Sequence, residues 1–140
     1  MITTEEISVK VYQMLSESEV KDIISGSIGY ERADYSLEDI IIIPHTIDGE
    51  SSVRYGQINI NIHVPDIVTS NKTEQHPKYV TNFQRLIDIR KKVIEVLKSH
   101  YEVGSGWNWI IGRLNPPIKE QNYNEHYVSL ALEVTVREKK

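Results

Sequence analysis

The sequence predicts an α+β fold: an antiparallel sheet of about four to five strands with two main helices packed on one face. Three observations carry that expectation. "QININIHV", residues 57–64, alternates strictly between aliphatic and polar side chains, which is the period of a half-buried strand. "FQRLIDIRKKVIEVL" repeats its apolar residues at the period of an amphipathic helix. The order helix, strands, helix, strands, with hairpin-like connections, leaves too few crossover helices for a parallel sheet. With 140 residues, of which 39% are hydrophobic, the chain suits one domain over residues 1–140.

Taken in order, Thr3-x-x-Glu6 is a capping box, and Ile7, Val11, Met14 and Leu15 behind it share a stripe, which predicts a helix from Thr4 to Ser16. "EVKDIISG" suggests one or two turns ending at Gly26. "LEDIIIIPH" is β-branched, short and closed by Pro44, so residues 38–43 read as a buried strand. "TIDGESSVRYG" supplies turn chemistry, making this strand and the one at 57–64 an antiparallel hairpin. Residues 65–78, "PDIVTSNKTEQHPK", lack a period and carry proline near each end, which predicts a long loop of the functional or mobile kind.

In the second helix Phe83, Leu86, Ile87, Ile89, Val93, Ile94, Val96 and Leu97 form a broad apolar stripe, opposite Arg85, Asp88, Lys91, Lys92, Glu95 and Lys98. Arg90 falls inside the stripe, where a snorkelling stem or an edge ion pair is expected. Gly104 and Gly106 end the element, "WNWIIGRL" reads as a strand, "NPPIKEQNYN" as a loop and "HYVSLALEVTVRE" as the last strand. The alternation points Ile58, Ile60, Ile62, Leu130, Leu132 and Val134 toward the helices. The other face receives Gln57, Asn59, Asn61 and His63, with Tyr127, Ser129, Glu133, Thr135 and Arg137.

Composition narrows the function. A net charge of -4 and a pI near 5.7 give no positive field to draw the protein to nucleic acid or anionic lipid. The sequence has no cysteine, which rules out disulfides, thiol nucleophiles and zinc-thiolate sites. The acidic start "MITTEEISVKVY" and the lack of a run approaching roughly 18 apolar residues predict a soluble, unexported protein with no membrane partner.

Five histidines, at 45, 63, 76, 100 and 126, invite a metal, but none stands at ligand spacing, so no metal or cofactor is expected. A metal-dependent nuclease would use "VPD" at Asp66, yet the acidic-x-Lys element that should follow on the next strand is missing. No nucleophile elbow is present, and the two glycines of "SGSIGY" lack the lysine and helix of a phosphate loop. No catalytic residue is therefore assigned, and a non-enzyme is expected. Trp107 and Trp109 share a strand face and suit a core or subunit interface better than base stacking, because no basic groove accompanies them. The polar face then reads as solvated or as a contact surface, with Gln57, Asn59, Asn61, His63, Asp66 and Arg137 as its candidate residues.

The short first helix ending in "VYQML", the segment "ISGSIGYERADYSLEDIIIIP", the strand "GQININIHVPDI", a loop, and a helix opening "FQRLIDI" together resemble small phage proteins of the tail-terminator and tail-completion (neck ring) type. The resemblance spans nearly the whole chain as an order of elements and includes no catalytic signature. It departs from better-known members in the loop at 65–79 and the four-isoleucine strand. It implies a structural virion protein that forms a homo-oligomeric ring, commonly a hexamer, at the head-proximal end of the tail. There it would terminate the tail tube or join it to the head-side connector. The implied partners are copies of itself, the tail tube protein and the connector protein, with DNA passing through unread. The implied location is the tail neck of the virion, reached from the host cytoplasm during assembly. Two other readings stand beside it. A small monomeric binding or regulatory module of a phage would be marked by a stable monomer, and a metal-dependent nuclease by carboxylates or histidines clustered in one pocket.

Overall fold

A computed structural model describes residues 1–69 and 78–138. The helices are α1 (Thr4–Ser16), α2 (Val20–Ile23) and α3 (Phe83–Leu97). The strands are β1 (Ile28–Gly29), β2 (Asp39–Ile47), β3 (Val53–Pro65), β4 (Ile67–Thr69), β5 (Lys78–Val80), β6 (His100–Glu102), β7 (Trp107–Lys119) and β8 (Glu125–Arg137). Six strands form the main sheet in the order β1-β2-β3-β8-β7-β6. Its β2-β3-β8-β7 centre is antiparallel, as the hairpin reasoning predicts, and only the two-residue β1 runs parallel to its neighbour. The short edge strands β1 and β6 account for the excess over the expected four to five.

Helix α1 starts where its capping box places it: Thr3 Oγ1 accepts from Glu6 N, and Glu6 Oε2 accepts from Thr3 N at 3.1 Å. Ile7, Val11 and Leu15 of α1 and Leu86, Ile89, Val93 and Leu97 of α3 pack on Ile58, Ile60, Ile62, Leu130, Leu132 and Val134. All of these are fully buried or within a percent or so of it. The predicted apolar facing of the sheet therefore holds. The α3 stripe is narrower than expected, since Phe83 and Ile87 are exposed at 58% and 40%. At 100° per residue both fall on the same side of the buried line Leu86, Ile89, Val93 and Leu97, beyond its edge. Arg90 spends its charge on backbone instead of an ion pair, donating to the carbonyls of Asn115 (2.6 Å) and Ser129 (3.3 Å).

Three loop or helix expectations change. Helix α3 stops at Leu97, where Lys98 turns the chain at φ 40°, and the residues that follow become β6. The indole N–H of Trp109 donates to the Lys98 carbonyl at 3.0 Å and secures this reversal, so the buried tryptophans work as core. Strand β7 continues through Pro116 and Pro117 to Lys119, where a loop was expected. Proline is tolerated there because β6 pairs only with residues 107–109, so the outer edge beyond needs no N–H, and the register with β8 shifts between Asn115 and Ile118. Within the predicted loop at 65–78 strands form: Ile67–Thr69 pairs with Lys78–Val80 as a separate two-stranded sheet, while residues 70–77, His76 among them, lie outside the described residues. No helix among the described residues is long and apolar enough to cross a membrane.

Candidate functional site

The register fixes which side chains share the face away from the helices. Asp39, Ile41 and Ile43 of β2 stand opposite His63, Asn61 and Asn59 of β3, which in turn stand opposite Tyr127, Ser129 and Ala131 of β8. Along β3 this face changes character. Gln57 is exposed, Asn59 and Asn61 are half-buried, and His63 is only 5% exposed. The cause is the segment from Tyr30 to Glu38, which bridges β1 and β2 and brings Arg32 to the end of the sheet.

Arg32 is the centre of the cluster. One guanidinium nitrogen donates to Asp39 Oδ2 at 2.9 Å and the other to Glu125 Oε2, and both carboxylate side chains are fully buried. Glu125 Oε1 lies 3.2 Å from His63 Nδ1, and the His63 ring stacks on Tyr127 with centroids 4.8 Å apart. Asp39 also organises the covering segment, accepting from the backbone N–H groups of Ser27, Ala33 and Asp34. Gly26 makes this possible, because a Cβ there would collide with the Asp39 carboxylate and the Glu38 carbonyl. Tyr35 stacks on Tyr123 of the β7–β8 turn at 3.8 Å, and Arg32 sits over the Tyr35 ring. Beside this, His126 Nδ1 is 2.6 Å from Asp66 Oδ1 and its Nε2 is 3.1 Å from Thr81 Oγ1.

Electrostatics follow burial. Desolvation pushes the Glu125 carboxyl up to about 7, against the pull of Arg32 and with help from Glu120, Asp39 and Asp66. Desolvation pulls the His63 imidazole down to about 4, Arg32 adding to the fall and Asp39 opposing it. In the interval between, a neutral imidazole faces a protonated carboxyl. Such a pair can exchange a proton or ligate a cation, yet with His63 at 5% and Glu125 at 0% exposure it offers little to a substrate in solution.

Of the six residues expected to make contacts, Gln57 and Arg137 are exposed and Asn59 and Asn61 half-buried. His63 and the Asp66 carboxylate are internal, because Glu125 and His126 from the far end of the chain take up their polar atoms. Arg32, Asp39 and Glu125 drew no attention in the sequence. Only the parity of Glu125 with Tyr127 and Ser129 on β8 could have placed it on this face. A scan against models of known protein families finds no match to this chain, and a search of curated proteins finds none either, so the functional reading rests on residues and geometry.

Proposed function

We propose that this chain is a ring-forming structural subunit of the head-proximal end of a phage tail, terminating the tail tube or joining it to the head-side connector. The observation that carries the reading is the β4·β5 ladder. It stands apart from the main sheet, has three residues per strand, and exposes Ile67 (45%), Val68 (55%) and Tyr79 (45%), with Phe83 (58%) beside it. A two-stranded ladder of this length is marginal alone in water, and apolar groups gathered at its surface are satisfied by burial against another surface. Tyr79, Phe83 and Lys78 line an open groove with Asp66, Lys119 and His126, which sets apolar and charged groups side by side at the arm.

An arm on one side of a subunit that meets a different surface on the next copy makes a heterologous contact, which closes into a ring when its rotation divides a full turn. Exposed Gln57, half-buried Asn59 and exposed Arg137 form the rest of the surface left to neighbours or to the channel. A net charge of -4 suits a ring that lets DNA pass without gripping it. The order of α1, the β2–β3 pair and α3 is the order on which the resemblance to neck-ring proteins rests, and the β4·β5 arm lies where the chain departs from better-known members. Among the described residues, the buried cluster is the feature that favours a hydrolytic enzyme instead. Its enclosure and the occupation of Glu125 by Arg32 count against that reading.

The test is the mass of the purified chain across concentration, alone and with tail tube protein. A closed ring, lost in Val68→Asp or Tyr79→Asp with the monomer fold intact, is the expected result. A parent chain that stays monomeric at all concentrations and ignores tube and connector proteins would overturn the reading. Cleavage of DNA in the presence of Mg2+ or Mn2+ would replace it with the enzyme.

A further inference from the structure

Contiguous spacing offers no metal motif, but the fold assembles a ligand set from three separate places. His63 comes from near the end of β3, Glu125 from the start of β8 and Glu120 from the turn between β7 and β8. One ligand atom from each lies within 4.8 Å of the others. We propose that His63, Glu120 and Glu125 bind a divalent transition metal, with Zn2+ the ion that the mixed nitrogen and carboxylate set favours.

Three observations lead there. The His63 Nδ1 to Glu125 Oε1 separation is 3.2 Å, close to the roughly 3.3 Å edge of a tetrahedron with bonds of about 2.0 Å. Both groups are already held in place, His63 by its stack on Tyr127 and Glu125 by Arg32, which takes Oε2 and leaves Oε1 toward the imidazole. Charge is out of balance, because Asp39 and Glu125 share the single guanidinium of Arg32, while Glu120, beside Glu125, has no ion pair among the described residues. Uncompensated buried carboxylate is costly, and a dication removes that cost more completely than a proton does.

Glu120 is half-buried at the turn and supplies the movable ligand, which gives the ion a way in from solvent. Bound there, the metal would clip the β7–β8 turn to the end of β3 and so fix the rim beside the β4·β5 arm. The proposal stands on the cluster alone and does not depend on ring formation.

Chelator-treated protein titrated with ZnCl2 in a calorimeter, with metal counted by mass spectrometry after dialysis, provides the test. The expected result is one equivalent per chain and a higher melting temperature. Glu120→Gln, at a half-buried turn position that spares the core, should weaken binding at least tenfold while circular dichroism stays unchanged. His63→Gln should do the same. His45→Gln, at an exposed residue outside the cluster, should bind as the parent does. Zinc held as tightly by Glu120→Gln as by the parent, equal loss in His45→Gln, or no binding at micromolar zinc would each overturn the assignment.

Discussion

On the helix side of β3, Ile58, Ile60 and Ile62 are all 0% exposed, whereas the other side of the same strand runs from exposed Gln57 through half-buried Asn59 and Asn61 to buried His63. The two faces obey one alternation but are completed differently. Aliphatic burial is non-directional, so any well-packed helix stripe can cover the first face. A buried carboxylate or imidazole needs a particular partner at hydrogen-bond distance, so the second face closes only where Arg32 arrives. At the Gln57 end no such group comes, and the face stays open.

The largest effect should come from placing the wrong chemistry on the uniform face. Leu132→Asp puts an unpaired charge among fully buried isoleucines, and a loss of several kcal/mol should leave no cooperative thermal transition by circular dichroism. A variant that melts like the parent would show that the faces have been assigned the wrong way round.

Next comes the closed end of the polar face. Arg32→Met strands Asp39 and Glu125 without their shared cation and should cost on the order of 3 kcal/mol in urea denaturation. Amide exchange should quicken at Ala33 and Asp34, whose N–H groups depend on the Asp39 carboxylate. Unchanged exchange there would mean that the covering segment is held by the Tyr35–Tyr123 stack and not by charge.

A subtler effect separates the two titrating partners. His63 falls on folding from 6.5 to about 4, so its contribution is present above 6.5 and lost as pH falls through that window. Glu125 rises from 4.5 to about 7, so its contribution is present below 4.5 and lost as pH climbs. Between these limits the folded pair keeps one proton on Glu125 and the unfolded pair keeps one on His63. The counts match, and this pair should leave stability nearly flat from about pH 5 to 6.5. Glu125→Gln should unmask the histidine slope, with stability falling on acidification. His63→Gln should unmask the opposite slope, with stability falling as pH rises. Each amounts to on the order of 3 kcal/mol across its window. Two variants with slopes of the same sign would break the pairing.

The smallest effect on stability belongs to the open end. Gln57→Ala and Asn59→Ala remove a side-chain hydrogen bond of 2.7 Å at the surface and should shift the unfolding free energy by no more than about 0.5 kcal/mol. If this end meets a neighbouring subunit, the same changes should still lower the assembled fraction measured by native mass spectrometry. Loss of fold in either variant would show that the open end carries structural weight after all.

Local pattern sufficed for the elements whose making is local. The Thr3–Glu6 capping box, the three buried isoleucines of β3 and the core stripe of α3 could be read from neighbours within a few residues, because helix and strand periods repeat on that scale. The edges were less legible. β6 and the β4·β5 ladder are three residues per strand, too short for a period to show, and β7 runs through two prolines because its outer edge is unpaired. The charge cluster was beyond reach. Arg32 meets Glu125 across 93 positions and His63 meets it across 62, with no spacing rule linking them. What the sequence determined by itself was which face of each element would shun water. Only the tertiary structure decided which charges would be buried together on the other face, because that depends on where the chain returns, and no local period records it.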